Sequence, residues 1–354
     1  MSKLNKWFSL VFGILMFAFF NTFGQQDPIF SQLYASSIYL NPALSGLEHR
    51  FSVNAIHREQ WTSTTPFQTT SLSIILPYHD KGEDAYHKGG FGLNIYQENA
   101  GSGARNTLGA TLNGAYNIKI NSTIAQNLTF GASLGIIQYT YGPRKWGSGY
   151  DIYSDNLYNS ATSNDGAFQT VAPKIIPAVS AGFLYYYNAG RNIYAPGISF
   201  YLGSAFSHLT SPNEAFAEGK TSNLPVLIKV HSGLEIHVAK MLNLSPNFVW
   251  WSQGKTNFVS TGANFTYLLP DHDEYLKPTR LVFGASYRIG DAIIPQFGFG
   301  SKYYGIGLSY DIYTTAMSQS QLGPGTNAFE VSAKTTLSFS KRSKKTTKFH
   351  TPLM

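Results

Sequence analysis

The chain of 354 residues contains no cysteine. That excludes disulfides and a lipid anchor on an N-terminal cysteine, so an exported form has to be stabilised by burial or by a membrane. Charge is scarce as well. Asp, Glu, Lys and Arg make up 13% of the residues, against roughly 25% in ordinary soluble domains. Long apolar runs are confined to the first 24 residues, and nothing later resembles a membrane helix. The net charge of +7 does not mark a nucleic-acid surface. Lys3 and Lys6 lie at the start and Lys341, Arg342, Lys344, Lys345 and Lys348 at the end, and without these seven charges residues 25 to 340 are formally neutral.

What the chain does have is aromatic residues, 15% of the total with 23 tyrosines and 25 phenylalanines, together with 33 glycines and a mean hydropathy of −0.13. That mixture fits strands with one face in lipid and the other in water. Residues 1–24 read as an export signal: Lys3 and Lys6, an apolar run from Trp7 to Phe20, then small residues at Thr22 and Gly24 that suit cleavage before Gln25.

Beyond the signal the chain alternates with period two. In TLGATLNGAYNIKI, Leu108, Leu112, Tyr116, Ile118 and Ile120 share one face, and Thr107, Thr111, Asn113, Asn117 and Lys119 the other. VLIKVHSGLEIHVA sets Val226, Ile228, Val230 and Leu234 against Lys229, His231, Glu235 and His237. FEVSAKTTLSF opposes Phe329, Val331 and Leu337 to Glu330, Ser332 and Lys334. Runs of ten to fourteen residues exceed the five or six usual in soluble sheets and match the roughly 9–11 a tilted strand needs to cross a bilayer. The fold class expected is all-β: an outer-membrane barrel of 14 antiparallel strands over 47–340. The strands are placed near 47–61, 66–79, 88–100, 104–120, 124–141, 176–188, 193–208, 224–239, 241–253, 257–269, 279–289, 291–300, 302–313 and 327–340. With both ends in the periplasm, odd-numbered connections face outward, and the longest, 142–175, is one of them. Trp250 and Trp251 are expected in the outer aromatic girdle. The tail 341–354 is read as a basic, periplasmic and solvated segment.

No catalytic, cofactor or metal constellation emerges. The nine histidines are scattered. The nearest ligand set, His231, Glu235 and His237 on one strand face, is what a polar lumen carries anyway, and Asp271, Asp273 and Glu274 read as a solvated acidic turn. No enzyme activity and no cofactor are therefore expected. In the 142–175 loop, Trp146, Tyr150, Tyr153 and Tyr158 lie among glycine, serine and asparagine. Such a mixture suits a protein-binding surface, and it equally suits packing of the loop on itself or at the membrane interface.

One stretch does not alternate: DPIFSQLYASSIYLNPALSG, residues 27–46. Asp27 is placed to cap a helix beginning at Pro28, with Phe30, Leu33, Tyr34, Ser37 and Ile38 at helical spacing and Asn41-Pro42 as the stop. Residues 25–46 are expected to form a short helical or irregular plug in the periplasmic mouth of the barrel.

This stretch resembles the start of mature PorP/SprF proteins, outer-membrane components of the type IX secretion and gliding apparatus of Bacteroidota. RFSVNAIHREQW resembles the family's first strand, GGFGLNIYQENAG its third strand and turn, and NAFEVSAKTTLSF its last strand. The resemblance implies a non-enzymatic barrel in the outer membrane. It would bind the C-terminal sorting domain of a secreted surface protein, such as an adhesin, and support its secretion or attachment alongside other type IX components. A channel for a small hydrophobic solute is the alternative, and the lumen distinguishes the two.

Overall fold

The computed structural model describes residues 27–60, 67–79, 87–100, 105–121, 125–141, 171–188, 198–216, 219–269, 279–301, 303–314 and 327–337. The export signal, the aromatics Trp146, Tyr150, Tyr153 and Tyr158, the acidic turn at Asp271 to Glu274 and the basic tail lie outside the described residues.

Fourteen strands form one closed antiparallel barrel in which each strand pairs with its neighbours in sequence. They are β1 Phe51–Gln60, β2 Phe67–His79, β3 His87–Ala100, β4 Arg105–Asn121, β5 Ala125–Tyr141, β6 Val171–Asn188 and β7 Ile198–Ser207. β8 Leu227–Ala239, β9 Leu242–Gln253, β10 Thr256–Leu268, β11 Arg280–Arg288, β12 Ala292–Gly300, β13 Tyr304–Tyr313 and β14 Ala328–Leu337 follow. Closure is in full register, from Phe51 opposite Leu337 to Gln60 opposite Ala328. Closure of β1 onto β14 removes the open sheet edge that lipid could not satisfy.

The faces are inverted relative to a soluble protein. About thirty large apolar side chains point outward, with Leu112, Leu134 and Phe91 exposed to 68, 64 and 62%. Ser52, Asn54, Arg58, Ser71, Ser73, Asn94, Asn117 and Lys229 are buried inside. Each large apolar side chain left in water forgoes about 1.5–3 kcal/mol, so a belt of this size needs a hydrocarbon solvent. No helix among the described residues is long and apolar enough to cross a membrane.

One boundary differs instructively from expectation. β6 begins at Val171 rather than near 176, and Pro173 and Pro177 lie within it. Proline is tolerated there because this part of β6 has ladder partners on one side only. It pairs with β5 from Val171 onward, but with β7 only from Ala181 to Asn188. On the outward-connection side, the β9–β10 and β11–β12 hairpins are tight, closed by Gly254 and Gly290 at φ of 59° and 73°. Between β7 and β8, by contrast, residues 208–216 and 219–226 fold back, burying Leu224 against Ile137, Tyr139, Ile176 and Ala178. The rim at the outward connections is therefore high over β5 to β8 and low over β9 to β12.

Candidate functional site

The site is the lumen, and its principal occupant is the chain's own N-terminal segment. From Asp27 to Glu48 every residue is buried except Ile29, Tyr34, Ala35 and Tyr39, which are half-buried. The segment contains a single turn of helix, α1 (Ser37–Leu40), and a 3-10 helix, Pro42–Gly46. Its apolar side chains Leu33, Leu40, Ala43, Leu44 and Leu47 pack against Leu184, Tyr186, Tyr201 and Val249 of the wall.

The helix expected from Pro28 onward is corrected, because the barrel takes the hydrogen-bonding groups a helix needs. The backbone N–H groups of Ser31 and Gln32 donate to the two oxygens of the Glu330 carboxylate, at 2.8 and 2.6 Å. The Pro28 carbonyl, which would accept Gln32 N–H in a helix, accepts the Tyr39 hydroxyl at 3.1 Å. No helix begins beside Asp27, whose carboxylate lies 2.6 Å from His208 Nε2. Burial alone pushes the Asp27 carboxyl up, but His208 and Lys229 outweigh it and hold the group below its ordinary value. Asn41-Pro42 does end α1 as expected, and it also starts the 3-10 helix: Asn41 Oδ1 accepts from Ala43 N–H at 2.9 Å with Pro42 in the first turn.

The depth of the segment also differs from the expected position in one mouth. Glu48 pairs with Lys334 and the Gly46 carbonyl accepts from Asn117 at 2.7 Å, both at the end of the barrel where β1 begins. Asp27, Ser31 and Gln32 meet His208, Asp311 and Glu330 at the opposite end. Residues 27–48 thus thread the whole lumen. Burial explains the choice: the lumen wall offers donors and acceptors along its length, and each satisfied pair avoids the 1–3 kcal/mol cost of an orphaned buried polar group.

The far end of the segment is held by a compact charge cluster. Arg58 donates to Asp311 at 2.7 Å and to Glu330 at 3.3 Å, and Arg288 donates to Asp311 at 2.7 Å and to Asp291 at 2.8 Å. Ser31 Oγ sits at the centre, accepting from Arg58 at 2.6 Å and Arg288 at 2.9 Å and donating to Asp311 at 2.7 Å. Two buried arginines and two buried acids balance one another, and the plug's serine bonds to both arginines and to Asp311.

An aromatic clamp follows. Tyr39 lies with Lys229 Nζ 4.3 Å from its ring centroid and meets Phe30 edge-on at 5.8 Å, Tyr96 at 5.2 Å and Trp251 at 6.3 Å. Trp251 is buried in the lumen, which corrects the expectation of an outward girdle residue. Neighbours in a strand face opposite ways, so only Trp250 can face lipid. The Tyr34 hydroxyl contacts that of Tyr201, and Asn41 Nδ2 meets His231 Nε2 at 3.0 Å and the Phe183 carbonyl at 3.1 Å. His231 therefore serves the plug, while Glu235 and His237 share Asn243 further down the strand.

The wall is shaped to this backbone. A Cβ at Gly131 would overlap the Ala43 nitrogen, and one at Gly90 would overlap the Ser45 carbonyl. Gly131→Val is expected to push the 3-10 helix off the wall, giving the intact chain a flickering ion leak in planar bilayers that the unaltered chain lacks. Beside the segment, a cavity lined by Tyr39, Tyr96, Asn113, Ile137, His208 and Lys229 amounts to about 40 Å³, space for a few waters.

All six residues expected in the plug, Asp27, Pro28, Phe30, Tyr34, Asn41 and Pro42, are brought together inside the barrel. Sequence reasoning missed Ser31 and Gln32 and the wall residues Arg58, Arg288, Asp311 and Glu330 that grip them. Alternation did set Glu330 on the polar face.

A closed fourteen-stranded barrel with an outward apolar belt and a lumen threaded by its own N-terminal segment defines a plugged transmembrane β-barrel. Its sequence matches the family described as type IX secretion system membrane protein PorP/SprF over residues 22–334, and the chain belongs to that family. No curated protein matches it in sequence. Similar solved structures include a Pseudomonas aeruginosa FadL homologue, at 11% identity and a TM-score of 0.40 over 84% of this chain and 92% of that one. The Ralstonia pickettii toluene transporter TbuX is similar at 10% identity and a TM-score of 0.42, covering 84% and 91%. The monoaromatic hydrocarbon channel CymD is similar at 11% and 0.42, covering 87% and 94%. A membrane barrel of a secretion-system family fits the outer membrane.

Proposed function

We propose that this barrel is a non-enzymatic docking platform of the type IX system. It binds the C-terminal sorting domain of a secreted surface protein, of the adhesive or gliding kind, and supports its secretion or attachment. The observation that carries this reading is the threaded lumen. A segment bonded to the wall from one end to the other makes the barrel a closed support, and its surface and loops are then what a partner can grip. Family membership supports the same reading.

In this reading the end where β1 begins faces the periplasm, and the tall rim over β5 to β8 faces outward. Trp146, Tyr150, Tyr153 and Tyr158 belong in sequence to the connection between β5 and β6, and they are the proposed contact surface. The other partners are type IX components and outer-membrane lipid.

The test replaces residues 143–169 with a short Gly-Ser linker. The barrel is expected to insert normally while surface display of its partner falls at least tenfold. Unchanged display, or uptake of a small apolar solute that depends on the barrel, would sink the docking reading in favour of a channel.

A further inference from the structure

His49, His79 and His87 meet at the end of the barrel where β1 begins. The candidate ligand atoms of the three side chains all lie within 4.8 Å of one another. Ring centroids are 4.3 Å apart for His49 and His87 and 4.9 Å for His79 and His87. Three parts of the chain supply them: His49 from the junction between plug and β1, His79 from the last position of β2, and His87 from the first of β3.

The local backbone is arranged to make the meeting possible. Along β2 and β3 the register runs regularly as far as Tyr78 opposite Gly89, and continued unchanged it would set Lys88 opposite His79. A bulge intervenes, so His79 faces His87 instead, with Gly89 at a φ of 151° that few other residues adopt. Directly opposed residues of an antiparallel pair point to the same face, so the bulge exchanges a cation for a second imidazole. His87 is 4% exposed, and its Nε2 has no hydrogen-bond partner. A buried polar atom in that condition costs free energy that a ligand would recover.

We propose that His49, His79 and His87 form a binding site for a borderline divalent cation of the zinc class. Three imidazoles are a donor set for such an ion, with metal–nitrogen distances of about 2.0–2.1 Å and a fourth position left for water. Tetrahedral angles at those lengths bring the nitrogens to about 3.3 Å, a closure of up to about 1.5 Å from the present spacing. Imidazoles are predominantly neutral at neutral pH, the form that coordinates. The ion would clip the base of the plug to the β2–β3 hairpin, because His49 lies two residues beyond Leu47 and two before the start of β1. This inference rests on the cluster alone and is independent of what the barrel docks.

The test uses the whole mature chain with a tag free of histidine, stripped with EDTA and titrated with zinc chloride in detergent. One zinc ion per chain is expected, with affinity lowered at least tenfold in His79→Asn and abolished in the His79→Asn/His87→Asn double variant. Zinc should raise the temperature of heat-modifiable unfolding in the unaltered chain and not in His79→Asn. His79 is only half-buried, so that variant folds even if the double variant does not. His57→Asn, which alters an exposed histidine outside the cluster, should change nothing. Equal zinc binding by the unaltered chain and His79→Asn, or no binding by the unaltered chain at about 10 µM zinc, would overturn the proposal.

Discussion

Deleting residues 27–45 is expected to turn a barrel silent in planar bilayers into one with stable single-channel conductance. The fourteen ladders need nothing from the segment: β1 closes onto β14 through ten paired residues, and the outward apolar belt is built from strands alone. The lumen does need it. Fourteen strands enclose more interior than the eight that side chains can fill by themselves, so removing the segment leaves an aqueous path. The deletion also orphans Glu330, Asn41's partners and the ring around Tyr39, all polar or amphipathic groups that water can satisfy. The shortened barrel should thus remain heat-modifiable on gels while conducting. A deletion variant that folds and stays closed would show that the lumen is blocked by something other than residues 27–45.

The second large effect concerns Arg58. Replacing it with alanine leaves Asp311 and Glu330 buried with Arg288 as the remaining cation, and breaking one partner out of a buried charge network costs about 3–5 kcal/mol. The urea midpoint of unfolding should fall accordingly, and the far end of the plug should loosen, because Arg58 bonds both to Ser31 of the plug and to Glu330, which accepts the Ser31 and Gln32 amides. Arg58→Met combined with Glu330→Gln, which removes both charges, should recover part of the loss. If the single substitution left the midpoint unchanged, the cluster would not be holding the segment. Comparing the two experiments separates roles. The deletion opens the pore at modest cost in stability, whereas Arg58→Ala destabilises first and leaks second.

The barrel itself was largely legible in the sequence, because a period of two carried on for ten or more residues with glycine and aromatic composition has few other readings. Places where the reading slipped each have a physical cause. Val171 to Ile175 look like loop because Pro173 lies among them, and the one-sided pairing that permits it is a long-range fact. Trp251 was expected beside Trp250 in lipid, although alternation forbids both facing outward, and its partner Tyr39 is 212 residues away in sequence. The N-terminal helix followed from local spacing. Its amides were instead claimed by Glu330, some 300 residues on, and no propensity encodes such competition. The histidine cluster was invisible for the same reason: positions 49, 79 and 87 make no motif, and only a bulge brings the last two face to face.

The most direct test of a closed docking barrel is its purification from the outer membrane in mild detergent. Every strand, loop and plug residue should be intact, with a tag on the chain. The expected result is co-purification, near one to one, of a large secreted protein ending in a type IX sorting domain, with no conductance from the complex. Recovery of the barrel alone in full yield, together with solute-selective conductance from the unaltered chain, would contradict the account.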